Sequence, residues 1–415
     1  MTYAVLTLGC KLNQADSAEV AGRLGGASKA AQPKDADLIV LNTCTVTHRA
    51  DREARHLIRA ARRSNPRAVL AVMGCAVKRD AAAFRAMPEV DAVLESRDRV
   101  DAFLAAHVPA SEAPAHTGLP CFGGHTRAFL KIQEGCNFPC TYCIVPSVRG
   151  PSRSVPPEQV AETFAALMEA GYKEVVLTGI NTGEYGRDLG LREGLQALLE
   201  RLLALPGRTR IRLNSVEPRA VTPGLVSLLK LEQRLCRHVQ IPLQSGSDHV
   251  LASMRRNYKA EAYGEVVMGL AEEIPGIGLG ADVMAGYPTE SGQDHETTLR
   301  FLESLPLAFI HAFSYSTRAG TASFSLTPLP AATVAARAAD LRRAGEAKTS
   351  AFVLGQAGKI LEALTLASRG GRGKVLTDNF LQLDVPQTTP ANRWARVRVE
   401  GAPAGRPRGK IVSLE

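Results

Sequence analysis

The sequence predicts an α/β protein in three units: an N-terminal parallel-sheet α/β domain, a central partial (β/α)6 barrel and a small C-terminal antiparallel β-barrel. Three observations carry that reading. Apolar strand-like runs alternate with helical segments from the first residues, six more such runs follow residue 126, and the last stretch turns to period-two patterns with Gly-rich turns. At 415 residues and 45% hydrophobic content, the chain can fill several ordinary cores.

The first unit, residues 1–110, contains "TYAVLTL", "ADLIVLNTC" and "AVLAVMGC", separated by helix-like segments such as 49–63. This β-α-β order implies a parallel sheet covered by helices on both faces. Each run leads into a cysteine, Cys10, Cys44 or Cys75. The carboxyl ends of parallel strands share one edge, and ligands bind there. Three thiols far apart in sequence are thus expected at one place.

A Pro-, Gly-, Ala- and His-rich stretch, 111–126, reads as a linker. The second unit, 127–354, presents "AFLKIQ", "EVVLTG", "RIRLNS", "HVQIPLQ", "GLGADVMAGYP" and "AFIHAFSYS", each followed by a helical segment, the last of them an Ala- and Arg-rich helix from 331 to about 354. Six strand–helix repeats make a partial barrel, with chemistry at the strand ends. In the third unit, 355–415, "KILEALTLA", "GRGKVLTDNFLQLDV" and "RWARVRVEG" alternate as strands do.

The formal charge is +9 and the isoelectric point about 9.2, which points to a polyanionic partner. The third unit concentrates it, with ten Lys and Arg against five Asp and Glu. No signal-like N-terminus is present and no apolar run nears the roughly 18 residues of a membrane span, so a cytoplasmic protein off the membrane is expected. Eight cysteines in such a chain point to metal or catalysis before disulfides.

The strongest local signal is "EGCNFPCTYCIVP", with Cys136, Cys140 and Cys143 spaced C-x3-C-x2-C. Three thiolates on one loop hold three irons of a four-iron, four-sulfur cluster and leave the fourth open for chemistry. A structural zinc site needs a fourth N or S ligand, and no partner pair follows.

That loop resembles the radical S-adenosylmethionine (SAM) superfamily, which implies a cluster that binds SAM and cleaves it to a 5′-deoxyadenosyl radical. Together with "TLGCKLNQADS", "NTCTVTHRAD", "VMGC", "VRGPSRS", "IPLQSGSDHVLASMRR", "DVMAGYPTES" and "YSTRAGT", the sequence resembles the methylthiotransferases along its whole length. Lys11-Leu12-Asn13 after Gly-Cys is most similar to the branch acting on N6-threonylcarbamoyladenosine at position 37 of tRNA; the isopentenyladenosine branch typically has Gln-Met-Asn there. The resemblance implies that Cys10, Cys44 and Cys75 hold a second four-iron cluster, that one SAM methylates a sulfur there, and that a second SAM yields the radical that removes hydrogen from C2 of the adenine, to which the methylated sulfur is then joined. It further implies tRNA as partner through the anticodon stem-loop, an electron donor such as flavodoxin or ferredoxin, and a TRAM-like RNA-binding module at the C-terminus.

Within this frame Tyr142 is expected near the adenine of SAM, Thr178 and Gly179 near its methionine end, and Ser215, Glu217 and Gln244 at further strand ends as polar contacts. Loop packing, caps and structural hydrogen bonds are the competing roles for these residues. Arginines 49, 52, 55, 59, 62 and 63 repeat at helical spacing and are suited to tRNA phosphates or simply to a solvated face. Phe380 and Trp394 are stacking candidates, with a core role for Trp394 as the alternative. Cys121 and Cys236 have no motif around them. The competing functions are a methylthiotransferase acting on isopentenyladenosine or on a ribosomal-protein aspartate, and a non-catalytic RNA-binding iron–sulfur redox sensor; a sensor has no use for a SAM pocket.

Overall fold

The computed structural model describes the chain except residues 26–28, 108–118, 121, 123–125, 368–372 and 387. Cys121 and most of the expected linker therefore lie outside the described residues.

The N-terminal sheet has five parallel strands in the order Lys29–Ala30, Thr2–Thr7, Leu38–Thr43, Val69–Gly74, Ala92–Leu94. Its central strand is apolar at successive positions because both faces are covered. Ile39 and Leu41 pack with Ile58 of the helix His48–Ser64, while Leu38 and Val40 pack with Val20 and Leu24 of the helix Lys11–Gly25. The helix predicted over 49–63 starts one residue earlier, where Thr47 accepts the Ala50 N–H at 3.2 Å as an N-cap.

All six predicted barrel strands form, as two parallel three-stranded sheets: Arg210–Arg212, Glu174–Thr178 and Arg127–Lys131, then His238–Gln244, Gly278–Ala285 and Phe309–Ser314. A parallel bridge between Ile211 and Leu235 joins the two halves. The helix Ala331–Gln356 lies against the last strand and lends Val353 to the core of the C-terminal module. That module is a closed five-stranded barrel, antiparallel apart from one parallel contact, Asp384 with Arg408, that closes it.

The C-terminal barrel docks on the amino ends of the central strands, opposite the cysteine loop. Glu174 is fully buried and accepts from Arg210 Nε at 2.7 Å and Arg212 Nε at 2.9 Å, with Arg127 at 3.4 Å. Arg210 and Arg212 in turn donate to the carbonyls of Leu376, Thr377 and Asp378. A buried carboxylate so surrounded ties two units together through charge-assisted hydrogen bonds.

This docking corrects one expectation. Trp394 is only 6% exposed and lies under the guanidinium groups of Arg208 and Arg210; Phe380 packs against His238, Phe309 and Arg212. Both rings serve the interface with the central unit, Trp394 buried and Phe380 half-buried against His238 and Arg212, so they are engaged there and not set out for stacking on RNA. Among the module's exposed charges are Arg396 and Arg398 on one strand and Arg408 and Lys410 on its neighbour, with Arg398 directly opposite Lys410.

Candidate active site

Each N-terminal thiol follows a strand end, as the alternation predicts. Gly9 and Gly74 stand in close approach to the strand end that carries Cys44. At Gly9, φ +104°, a Cβ would stand 2.7 Å from Cys44 Cβ, and at Gly74, φ +101°, it would stand 2.4 Å from the Thr43 carbonyl, so only glycine lets Cys10, Cys44 and Cys75 converge. Cys10 is exposed, whereas Cys44 and Cys75 are 6% and 7% exposed. Asn13 sits between them: its Oδ1 lies 3.9 Å from Cys10 Sγ and 4.0 Å from Cys75 Sγ, and its Nδ2 donates to the carbonyls of Leu8 and Thr43.

Cys136, Cys140 and Cys143 stand on the loop after the first barrel strand, none of them disulfide-bonded. Gln133 roots this loop. It is fully buried, donates to the carbonyls of Glu134 and Gly135, and accepts the N–H groups of Ile180 and Asn181 at the neighbouring strand end.

Three cations bring the two thiol groups to the same mouth. Lys11, next to Cys10, reaches across to Asn214 Oδ1 at the end of the third barrel strand. Arg149, six residues after Cys143, is 4% exposed in its side chain and donates to Cys75 Sγ at 3.2 Å, Asn13 Oδ1 at 2.6 Å and Asp16 at 3.0 Å. Arg318, from "YSTRAGT", donates to Asp51 at 2.6 Å and to the Val46 carbonyl, clamping the loop that carries Cys44. Arg318→Met removes a charge-assisted bond worth about 2 kcal/mol. Faster amide exchange over residues 44–51 is the expected result; unchanged protection would show that the other donors to Asp51, Arg79 at 3.0 Å and Thr45 at 2.7 Å, hold it without Arg318.

The thiols are in surroundings that want a metal. Burial pushes Cys44 up to about 11 and Cys143 up to about 12, so both are protonated at neutral pH when no cation replaces the proton. Donors nevertheless point at the sulfurs: the Phe138 N–H at Cys136, Arg256 at Cys140 at 3.4 Å and Arg149 at Cys75. Such donors stabilise thiolates, which fits ligands of a cluster. Among the described residues no three His, Cys, Asp or Glu side chains stand at the spacing of ligands to one ion. In a four-iron cluster each thiolate binds a different iron, so wider spacing is the requirement.

The strand ends also hold buried polar atoms without partners: Thr178 Oγ1, Gln244 Oε1 and both side-chain polar atoms of Asn181. Leaving them so is costly unless a polar ligand completes them, and the ribose and amino-acid groups of SAM are of that kind. Ser215 and Gln244 adopt positive φ, 55° and 71°, and Gln244 follows a register shift in its strand. Glu217 is committed to Arg256, which places that guanidinium on Cys140. Gly179 packs against Gln133. Tyr142 packs with Val250, Met254, Met284 and Tyr287 in a small apolar cluster.

Sequence reasoning missed Asn13 as a contact, and missed Gln133, Asn181, Arg149, Arg256 and Arg318. Their signal was present as isolated polar residues within otherwise recognisable motifs. The arginine stripe divides. Arg62 is spent on the carbonyls of Pro66, Ala68 and Glu89 and on Asp91, Arg59 pairs with Glu89 at 3.6 Å, and Arg55 lies over Phe84. Arg49, Arg52 and Arg63 are exposed. Beside Cys75, a cavity of about 480 Å³ opens between the two domains, lined by Met73, Lys131, Glu134, Arg149 and Arg153.

Residues 2–95 match the uncharacterized protein family UPF0004, and residues 130–302 match the radical SAM superfamily. Over 336 residues the chain is 37% identical to the threonylcarbamoyladenosine tRNA methylthiotransferase MtaB of Bacillus subtilis, covering 77% of this chain and 74% of the relative. The MtaB protein of Aquifex aeolicus is 34% identical over 92% of this chain and 96% of its own length. This chain belongs to the radical SAM methylthiotransferase family. The tRNA-2-methylthio-N(6)-dimethylallyladenosine synthase of Moorella thermoacetica is also similar, 36% identical over 77% of both chains. Among solved structures, the radical SAM methyltransferase TsrM of Kitasatospora setae shares the fold at a TM-score of 0.56 and 12% identity, over 78% of this chain and 77% of that one. Among the described residues no helix is long and apolar enough to cross a membrane.

Proposed function

We propose that this methylthiotransferase places a methylthio group on C2 of N6-threonylcarbamoyladenosine at position 37 of tRNA, in the anticodon stem-loop, using SAM as methyl donor and as radical source. One observation carries the reading: Arg149 belongs to the radical SAM loop and yet contacts Cys75 and Asn13 of the other thiol group, so both groups serve one reaction space. The identity with MtaB relatives over most of the chain supports the choice of adenosine.

In this reading Cys136, Cys140 and Cys143 hold one four-iron cluster and Cys10, Cys44 and Cys75 hold the other. When bound, the first supplies the electron that cleaves SAM, and the second supplies iron for the sulfur to be transferred. Thr178, Gly179, Asn181, Ser215 and Gln244 bind and orient SAM at the strand ends. Tyr142 shapes that pocket by packing, and Glu217 acts on it through Arg256, which it holds in place against Cys140. Arg149 and Arg318 hold the N-terminal domain closed over the mouth, which keeps water from a reactive carbon centre.

The units 1–110, 127–354 and 355–415 divide the work among sulfur site, radical site and RNA contact, joined by the linker 111–126. The outward Arg396, Arg398, Arg408 and Lys410 are placed for tRNA phosphates. We assign the activity to the cytoplasm, with a flavodoxin or ferredoxin as electron donor.

Anaerobically reconstituted full-length protein, given SAM, a reductant and sulfide, is expected to convert a stem-loop carrying threonylcarbamoyladenosine to its 2-methylthio form, detected by nucleoside mass spectrometry. Turnover of a dimethylallyladenosine stem-loop in its place would favour the reading that the Moorella relative represents.

A further inference from the structure

We infer that Lys11 is a specificity residue whose ammonium group pairs with the carboxylate of the threonylcarbamoyl substituent; the inference rests on the function proposed above. Among the described residues, several cations cross between the N-terminal and central domains or line the mouth they form. Lys131 has Asp16 at 2.7 Å, Arg149 has Asp16 at 3.0 Å, Arg318 has Asp51 at 2.6 Å, and Arg256 has Glu217. Lys11 differs. It is half-buried, its hydrogen-bond partner is the neutral amide of Asn214, and among the described residues it forms no ion pair.

The acidic groups of the barrel interior are already engaged. Glu174 is held by Arg127, Arg210 and Arg212, and Asp282 pairs with His311 Nδ1 at 3.0 Å. A partly desolvated ammonium group without a carboxylate is costly to maintain, and the cost is recovered when an anion arrives. Its location is also the one a substrate must reach, beside Cys10 and at the carboxyl end of a barrel strand.

The chemistry of the two adenosines then separates them. A threonylcarbamoyl group ends in a carboxylate, able to take a charge-assisted bond from Lys11 with Asn214 steadying the ammonium. A dimethylallyl group is apolar, and seating it against Lys11 would desolvate the cation without compensation. The residue thus attracts one substrate and rejects the other.

The test uses the reconstituted full-length protein and three synthetic anticodon stem-loops, whose identical phosphates cancel in comparison. One bears threonylcarbamoyladenosine, one its threoninamide analogue, in which a carboxamide replaces the carboxylate, and one dimethylallyladenosine. Affinity is read by fluorescence anisotropy at one fixed salt concentration. The wild type is expected to bind the carboxylate form about tenfold or more tighter than the carboxamide form. Lys11→Gln should bring that ratio to about one, and Lys11→Arg should restore most of it.

A tenfold ratio surviving in a folded Lys11→Gln protein of normal iron content would overturn the inference. Should the variant not fold, equal binding of the two forms by the wild type overturns it instead. Methylthiolation of the threonylcarbamoyl stem-loop by the wild type is scored separately, so failure of the specificity inference and failure of the proposed function give different results.

Discussion

Replacing Cys10, Cys44 and Cys75 together by alanine is expected to remove about half of the iron and sulfide taken up on reconstitution and all of the methylthio product, while reductive SAM cleavage persists. The expectation follows from the separation of the two thiol groups onto different domains, with no Cys ligand shared between them. Folding should survive. Buried cysteines behave as small apolar side chains, and alanine keeps most of that packing at Cys44 and Cys75, while Cys10 is already exposed. The matching Cys136, Cys140, Cys143 variant should lose the other half of the iron and all SAM cleavage. Full iron content in the first variant would sink the two-cluster assignment.

Glu174→Gln is expected to destabilise the protein by about 3–5 kcal/mol, because the isosteric amide leaves Arg210 and Arg212 buried and without a counter-charge. Burial by itself would raise the carboxyl group's pKa, but Arg212 and Arg210 outweigh it and hold Glu174 well below the usual carboxylate range. A lowered folded-state pKa contributes stability that is fully present above the unfolded value, about 4.3, and is lost as pH falls below it. The wild type should therefore lose stability on acidification in that window, and the variant should lose less of it there. The same change weakens the seat of the C-terminal barrel, since both arginines donate to carbonyls at 376–378. Thermal unfolding measured across pH, with limited proteolysis near residue 357, reads both effects. A variant as stable as wild type at pH 7 and equally resistant to protease would refute the role of this cluster.

Much of the candidate site was legible before folding. Strand-forming runs are local in cause, since a few β-branched and apolar residues between turn formers suffice, and the shared edge of the cysteines that follow those runs comes from the parallel order alone. The C-x3-C-x2-C loop was legible for the same reason: its three cysteines lie within eight residues of one another. Even the repeated Gly-Cys pair at 9–10, 74–75 and 135–136 is a signal in one dimension. Charges were not legible in this way. Arg62 and Arg49 look alike in a helical repeat, yet one is spent on three carbonyls and an aspartate and the other faces solvent.

What the sequence by itself determined is the strands of the two sheets and the barrel and the six cysteines proposed to carry the chemistry, because each rests on patterns a few residues long. Only the tertiary structure decided which side chains join the units. Arg149 reaches Cys75 across 74 residues of chain, Lys11 reaches Asn214 across 203 and Arg318 reaches Asp51 across 267. The same distance in sequence hid the fate of Trp394 and Phe380, which the docked barrel turns inward. Polar and aromatic side chains take their roles from whatever burial leaves beside them, and burial is settled when remote segments pack.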